Sequence, residues 1–241
     1  MTEKIAEGVW LLGRYSPFQV GVFLLEHQGE GALLEMPPYQ NQMPKPWEDA
    51  KNFAKEEGIE IKYLLVSHAH IDHTFGHPYF RAAFPRAKTL VHRSFLDWYR
   101  SSIFDEIFRG PFKELNLKGE QLFLLHAPKH SPQDTLIFFR GALCSGDWSL
   151  GCHPDCNPLV SPMQKEESLK RVRDFLIDRS YWVHTVFSAH ANEFRHPPDF
   201  LALIDEMYSF WKNVPMHEWR RSREQWQANF AISQKNANRK H

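Results

Sequence analysis

The sequence predicts an α+β layered fold containing a doubled β unit. Short apolar runs of strand length fall into two groups along the chain, and each group is followed by segments with helical spacing. The length, 241 residues, suits one large domain, or one domain with an appended segment, better than a string of modules. In the first group Val9 to Leu12, Val20 to Leu25 and Ala32 to Leu34 read as strands, the last two joined by the turn-like Gln28-Gly29-Glu30-Gly31. Met36 to Pro46 contains four prolines and reads as a loop. Trp47 to Glu57 has helical spacing and stops at Gly58. Lys62 to Val66 is a buried strand, Thr89 to Val91 another, and Arg93 to Phe108 is mixed with a helical character. The second group is Gln121 to Leu125, Thr135 to Phe139 and Ala142 to Ser145. Pro162 to Ile177 is helical by the spacing of Leu169, Val172, Phe175 and Leu176; Thr185 to Phe187 is a short strand, and Pro198 to Trp211 and Glu218 to Ile232 read as helices.

Composition narrows the functions on offer. Hydrophobic residues make up 42% and aromatics 14%, enough to pack a core and exclude disorder as the main state. The 29 Lys and Arg balance the 29 Asp and Glu, which argues against a dedicated nucleic-acid binder. No apolar run reaches 18 residues, so no membrane span is expected. The start of the chain lacks a secretory pattern, and the three cysteines, Cys144, Cys152 and Cys156, are too few for a disulfide framework, so the cytoplasm is the expected compartment. The outlier is histidine: fourteen residues, four of them between His68 and His77.

The strongest local signal is Ser67-His68-Ala69-His70-Ile71-Asp72-His73, which begins where the Lys62–Val66 strand ends. In an extended segment His68 and His70 project to the same side, and a turn after Ile71 aims Asp72 and His73 at a second position nearby. Imidazoles with a carboxylate suit Zn, Fe, Mn or Ni and keep the metal Lewis acidic.

His68-x-His70-x-Asp72-His73 resembles the signature of the metallo-β-lactamase superfamily, whose fold is a four-layer αββα sandwich. Later landmarks appear in order over roughly residues 5 to 212. Ala127-Pro128-Lys129-His130-Ser131-Pro132 is similar to the family's Thr-Pro-Gly-His-Thr-Pro segment, Cys144-Ser145-Gly146-Asp147 to its Gly-Asp, and Phe187-Ser188-Ala189-His190 to its terminal Gly-His. The resemblance implies His130 as the third histidine at a first metal, Asp147 as the carboxylate bridging both metals, and His190 as the last ligand of the second. Each of these segments follows an apolar run, so all of them are expected to converge on one sheet edge. The implied cofactors are two divalent metal ions, zinc ahead of iron or manganese. The implied chemistry is attack by a metal-bridging hydroxide, with Asp72 both a ligand and the catalytic residue that orients the water.

The all-His/Asp ligand set resembles the hydroxyacylglutathione hydrolase and lactonase branch, and points to a small ester, thioester or lactone as substrate. A phosphodiesterase is an alternative, and so is a sulfur dioxygenase-like enzyme with one iron on His68, His130 and Asp147; a non-catalytic metal-retaining partner protein is a third class. The expected partner is a small-molecule substrate, with no membrane, nucleic acid disfavoured and a homodimer allowed. The chain departs from the family at Leu34-Glu35-Met36-Pro37, where Asp-Thr-Gly is usual; Glu35 is expected to supply the same supporting carboxylate with a longer reach. Lys129 and Asp134 replace glycines usual around the third histidine. His126, within an apolar run, reads as strand packing or as a support behind the ligands, and His77, His92, His184 and His196 read as structural or pocket residues. Phe95, Trp98, Tyr99 and Trp148 suit either a substrate wall or the core. Cys152-His153-Pro154-Asp155-Cys156 lies, by the resemblance, beside the pocket, with two unpaired thiols as the expectation. The domain expectation is residues 1–212, followed by a helical extension, 213–241, whose last 24 residues hold six Lys or Arg against two Glu.

Overall fold

The computed structural model describes residues 2–39, 44–152, 159–192, 194–217, 219–221 and 223–224. The first sheet contains β1 (Glu3–Ala6), β2 (Val9–Tyr15), β3 (Val20–His27), β4 (Glu30–Leu34), β5 (Glu60–Leu65), β6 (Lys88–His92) and β7 (Glu106–Phe108), side by side in chain order. Its first four strands are antiparallel; β4 to β7 are parallel, so each needs a crossover. The second sheet contains β8 (Phe112–Leu117), β9 (Glu120–His126), β10 (Thr135–Phe139), β11 (Ala142–Cys144), β12 (Thr185–Phe187) and β13 (Phe194–Arg195), in the order β13-β12-β11-β10-β9-β8. Within it, only the β11–β12 pair is parallel.

Strand periodicity builds the layers. In β3, Phe23 and Leu25 face the second sheet while Val22 and Leu24 face outward; in β10, Ile137 and Phe139 face the first sheet while Leu136 and Phe138 face outward. The inner faces share one apolar cluster, in which Leu11, Phe23, Leu34 and Leu65 meet Leu122, Leu124, Ile137 and Phe187. The outer face of the first sheet is covered by α1 (Pro46–Glu56) and α3 (His77–Ala83) through Ala50, Ala54 and Phe80. The outer face of the second is covered by α4 (Pro162–Asp178) and α5 (Phe200–Lys212) through Leu169, Val172, Ile204 and Met207. The result is helix, sheet, sheet, helix, the four-layer sandwich that the family resemblance implies. A capping box fixes the start of α4: Ser161 Oγ accepts from the Gln164 amide, and Gln164 Oε1 accepts from the Ser161 amide.

Arg93 to Phe108 is not a helix. It forms two single 3-10 turns, Arg93–Asp97 and Ser101–Ile103, and then enters β7. Phe95 anchors the first turn in the core, and Asp105 Oδ2 accepts the Thr89 amide at 2.9 Å, which leads the chain into its pairing with β6. Tertiary pairing overrides local propensity here. Of the expected Glu218–Ile232 helix, residues 219–221, 223 and 224 are helical; Glu218, Ser222 and 225–232 lie outside the described residues, as does Cys156. No helix among the described residues is long and apolar enough to cross a membrane.

Candidate metal centre

Four strand ends deliver the seven expected side chains. His68 and His70 leave the C-terminal end of β5, and a single turn, α2 (Ile71–Thr74), carries Asp72 and His73. His130 follows β9, Asp147 follows β11, and His190 follows β12. The strand that brings the first four residues belongs to one sheet and the other three strands to its partner. The meeting point is therefore the mouth of the cleft between two sheets, not one sheet edge. Backbone hydrogen bonds sew that mouth together: Thr135 N to Ser67 O at 2.7 Å, Ala189 N to Gly146 O at 2.9 Å, and Gly21 N to Ala189 O at 2.8 Å.

All seven side chains come together. The ligand atoms of His68, His70 and His130 lie within 4.8 Å of one another, as do those of His68, His73 and Asp147, and of Asp72, His73 and His190. His70 Nδ1 is 2.9 Å from His68 Nε2 and 3.3 Å from His130 Nε2. Asp147 Oδ2 sits between the two ends, 3.7 Å from the Nε2 atoms of His68 and His130, 3.6 Å from that of His73 and 3.2 Å from that of His190. Asp72 Oδ2 lies 3.4 Å from His73 Nε2 and 3.8 Å from His190 Nε2. Buried polar atoms ordinarily find partners. At the centre of this cluster His73 Nε2 and Asp147 Oδ1 make no hydrogen bond among the described residues, though the Asp72 and Asp147 carboxylates lie within 3.6 Å of His73 Nε2; unbonded buried atoms of this kind suit a cation.

The electrostatics divide the cluster. Burial, reinforced by the neighbouring His73, pushes His68 well below the usual imidazole range, and the same causes lower His70. Both rings are thus neutral, with a lone pair available. Burial opposes charge on His73 too, but Glu35, Asp147 and Asp72 outweigh it and hold the ring well above the usual range. His190 is raised, chiefly by its hydrogen bond to Asp147. Burial alone would raise both carboxyls; contacts from His190 and His73 hold Asp147 far below the usual range, and His73 lowers Asp72.

A surrounding layer fixes the rings. Glu35 Oε1 accepts the Ser67 amide at 3.1 Å and Oε2 lies 3.1 Å from His73 Nδ1, so the longer carboxylate has the supporting role expected of it. Ser67 Oγ is 2.9 Å from His68 Nδ1, and His190 Nδ1 donates to Phe18 O at 2.7 Å. Tyr99 OH donates to Ala69 O at 3.1 Å and lies 2.6 Å from Thr74 Oγ1, which donates to His70 O. Sequence reasoning missed Ser67 and Phe18 in these roles. Ser67 adjoins the histidine motif, whereas a backbone carbonyl at Phe18 leaves no sequence signal.

The remaining candidates resolve into structure. Phe95 and Trp148 are core residues, Tyr99 braces the motif loop, and Trp98 is exposed. His126 stacks on His92 with ring centroids 3.6 Å apart, His77 Nε2 meets Thr89 Oγ1, and His184 and His196 both meet Thr185 Oγ1. Cys144 is buried and Cys152 exposed; His153, Pro154, Asp155 and Cys156 lie outside the described residues.

With this geometry in hand, comparison with known proteins is direct. The family model described as the metallo-beta-lactamase superfamily matches residues 19–142, a span that takes in His68, His70, Asp72, His73 and His130. The chain is 30% identical over 112 residues to the lactamase-like protein aptB of Emericella nidulans; the match covers 45% of this chain and 34% of that protein, so the chain spans about a third of its curated relative. A metallo-beta-lactamase from Pontibacter korlensis superposes with a TM-score of 0.65 at 12% identity, over 89% of this chain and 99% of that one. A metallo-beta-lactamase family protein from Thermus thermophilus superposes with a TM-score of 0.56 at 19% identity, over 86% and 80% of the two chains. Fold, layer order and family match agree, and the chain belongs to the metallo-beta-lactamase superfamily.

Proposed function

We propose that the chain is a metal-dependent hydrolase of a small ester, thioester or lactone, of the hydroxyacylglutathione hydrolase and lactonase-like kind. The observation that carries this reading is the convergence of seven His and Asp side chains around two buried atoms that make no hydrogen bond, His73 Nε2 and Asp147 Oδ1. In this reading His68, His70 and His130 hold one divalent cation, Asp72, His73 and His190 hold a second, and Asp147 serves both, with zinc as the first choice of metal. Such cations, when bound, act as Lewis acids that bring the pKa of water toward neutrality and polarise a substrate carbonyl. Asp72 is anionic at neutral pH, so its carboxylate accepts a hydrogen bond from the attacking water and orients it. Phe18 and Ile71, exposed on loops that carry or contact the cluster, offer an apolar surface to the substrate. Cys144 precedes Gly146-Asp147 and replaces no ligand, which disfavours the zinc β-lactamases that use Cys at the second position. The hydrolase domain is residues 1–212, with 213–241 an extension. The balanced charge fits a small-molecule substrate in the cytoplasm better than a nucleic acid.

The test is metal content by mass spectrometry of the wild type and Asp147→Asn, followed by a panel of esters, thioesters, lactones and phosphodiesters. The expected result is two zinc ions per chain, falling in the variant, with hydrolysis of the acyl substrates. One iron per chain with oxygen uptake on a thiol would replace this reading with the dioxygenase one, and turnover of phosphodiesters alone with the phosphodiesterase one. Little metal after metal-supplemented expression would sink it.

A further inference from the structure

The loop between β9 and β10 carries His130 without a regular ladder, so its backbone donors need acceptors elsewhere. A single atom takes half of them. Asp134 Oδ2 accepts the backbone N–H of Lys129 at 2.8 Å, of His130 at 2.6 Å and of Ser131 at 2.8 Å. It also accepts the indole N–H of Trp148, the residue after Asp147, at 3.2 Å. The same indole N–H reaches Ala127 O at 3.1 Å, and Lys129 Nζ donates to Ser149 O at 2.7 Å. The Asp134 main chain closes the loop from its other side, accepting from Ala127 N at 2.9 Å and donating to Ser131 O at 3.2 Å. The loop that bears His130 and the loop that bears Asp147 therefore meet on one buried oxygen.

We propose that Asp134 is a positioning residue: by gathering these four donors it sets His130 against Asp147 and so shapes the His68/His70/His130 cation position. The other groups are held by other means. His68 is fixed by Ser67, His73 by Glu35, and His190 by the Phe18 carbonyl. Loss of the Asp134 acceptor thus loosens the His130 backbone directly, and reaches Asp147, which faces both positions, only through Trp148. The function required is that of an acceptor oxygen, which an asparagine side chain also presents. Describing the position as a cation site rests on the metal-dependent reading above; the hold on His130 is a property of the chain alone.

The experiment uses the full chain as wild type, Asp134→Ala, Asp134→Asn and Trp148→Phe. Each protein is stripped of metal and titrated with Co2+ while its ligand-field absorption is followed. Amide hydrogen exchange at His130 and Ser131 is measured on the metal-free proteins. Asp134→Ala is expected to weaken one Co2+ position about 10- to 100-fold, the usual effect of removing a ligand's outer partner. The other position, which feels the change only through Asp147, weakens less, and exchange at His130 and Ser131 accelerates. Asp134→Asn recovers most of the affinity, and Trp148→Phe alters the absorption, most strongly at the weakened position. Equal weakening of both positions overturns the proposal, and so does wild-type behaviour in Asp134→Ala. If Asp134→Ala fails to fold, a Trp148→Phe protein with wild-type absorption overturns it instead. A wild type that takes up no Co2+ sinks the metal-dependent function. The exchange data then decide the role of Asp134 alone, and unchanged protection in Asp134→Ala overturns it.

Discussion

Glu35 Oε2 lies 3.1 Å from His73 Nδ1, and both side chains are sealed from solvent. The other oxygen of the same carboxylate holds the Ser67 amide, so one residue braces the entry to the histidine motif and the ring at its far end. Its backbone adopts the left-handed region at φ 66°, a conformation a non-glycine residue occupies only under constraint. Glu35→Gln keeps the shape but loses the charge opposite His73. It should lower the affinity of the Asp72/His73/His190 position about 10- to 100-fold and spare the other. Competition with a chromophoric chelator measures both affinities; a loss shared equally would show that Glu35 shapes the whole loop.

Cation uptake should release protons. In the metal-free protein Glu35, Asp147 and Asp72 hold His73 well above the ordinary imidazole range, so it carries a proton at neutral pH, and the hydrogen bond to Asp147 raises His190 as well, whereas a cation requires the lone pairs of both rings. Affinity should therefore rise with pH through neutrality. Calorimetry in two buffers of different ionisation enthalpy should show release of about one to two protons per chain. Heats independent of buffer would contradict the assignment.

A second pair of histidines should govern acid sensitivity. The stacked His92 and His126 are pushed down, chiefly by burial, to about 3 and about 4. Their folded values lie below the unfolded one of about 6.5, so the unfolded chain takes up protons first as pH falls. Their contribution to stability is full above about pH 6.5 and shrinks as pH drops toward the folded values. Between pH 7.5 and 5 each ring should contribute about 2 kcal/mol, so the wild type should lose on the order of 4 kcal/mol more than a His92→Gln/His126→Gln protein. Urea unfolding at the two pH values measures this, and equal losses would remove the pair from the account.

Gly76 should tolerate no side chain. A Cβ there would stand 2.2 Å from Pro37 O and 2.8 Å from Met36 O, although the backbone φ of −75° suits any residue. The segment it would displace includes Met36, whose amide donates to His73 O at 2.8 Å. Gly76→Ala should cost about 1–3 kcal/mol as overpacking and weaken cation binding with it. Gly110→Ala, where the nearest atom is 3.8 Å away, is the control and should unfold like the wild type.

The sequence was informative where one physical cause acted alone. Buried strands such as Val20–Leu25 and Thr135–Phe139 declared themselves because both faces are apolar, and the histidine motif because its spacing has few uses other than holding a metal. Edge strands were harder to see. Glu3–Ala6 and Phe112–Leu117 alternate with charged residues and pair on one side only. Arg93–Phe108 was misread because Phe95 and Asp105 answer to distant partners, the core and the Thr89 amide. At the site, the seven converging residues were legible one motif at a time. The atoms that aim them, the Phe18 carbonyl and the Asp134 oxygen, became visible only once the loops had met.

Chain order also sets a schedule for synthesis. His68, His70, His130 and Asp147 are all translated before α4 begins, whereas His190 follows Asp147 by 43 residues, across that helix and β12. Six of the seven clustered side chains are thus made before the last, and the mouth that joins them closes only when Ala189 and His190 arrive. A message cut short after β11 would lack Asp147 and His190 together with the helices that cover the second sheet, and so could close neither cluster.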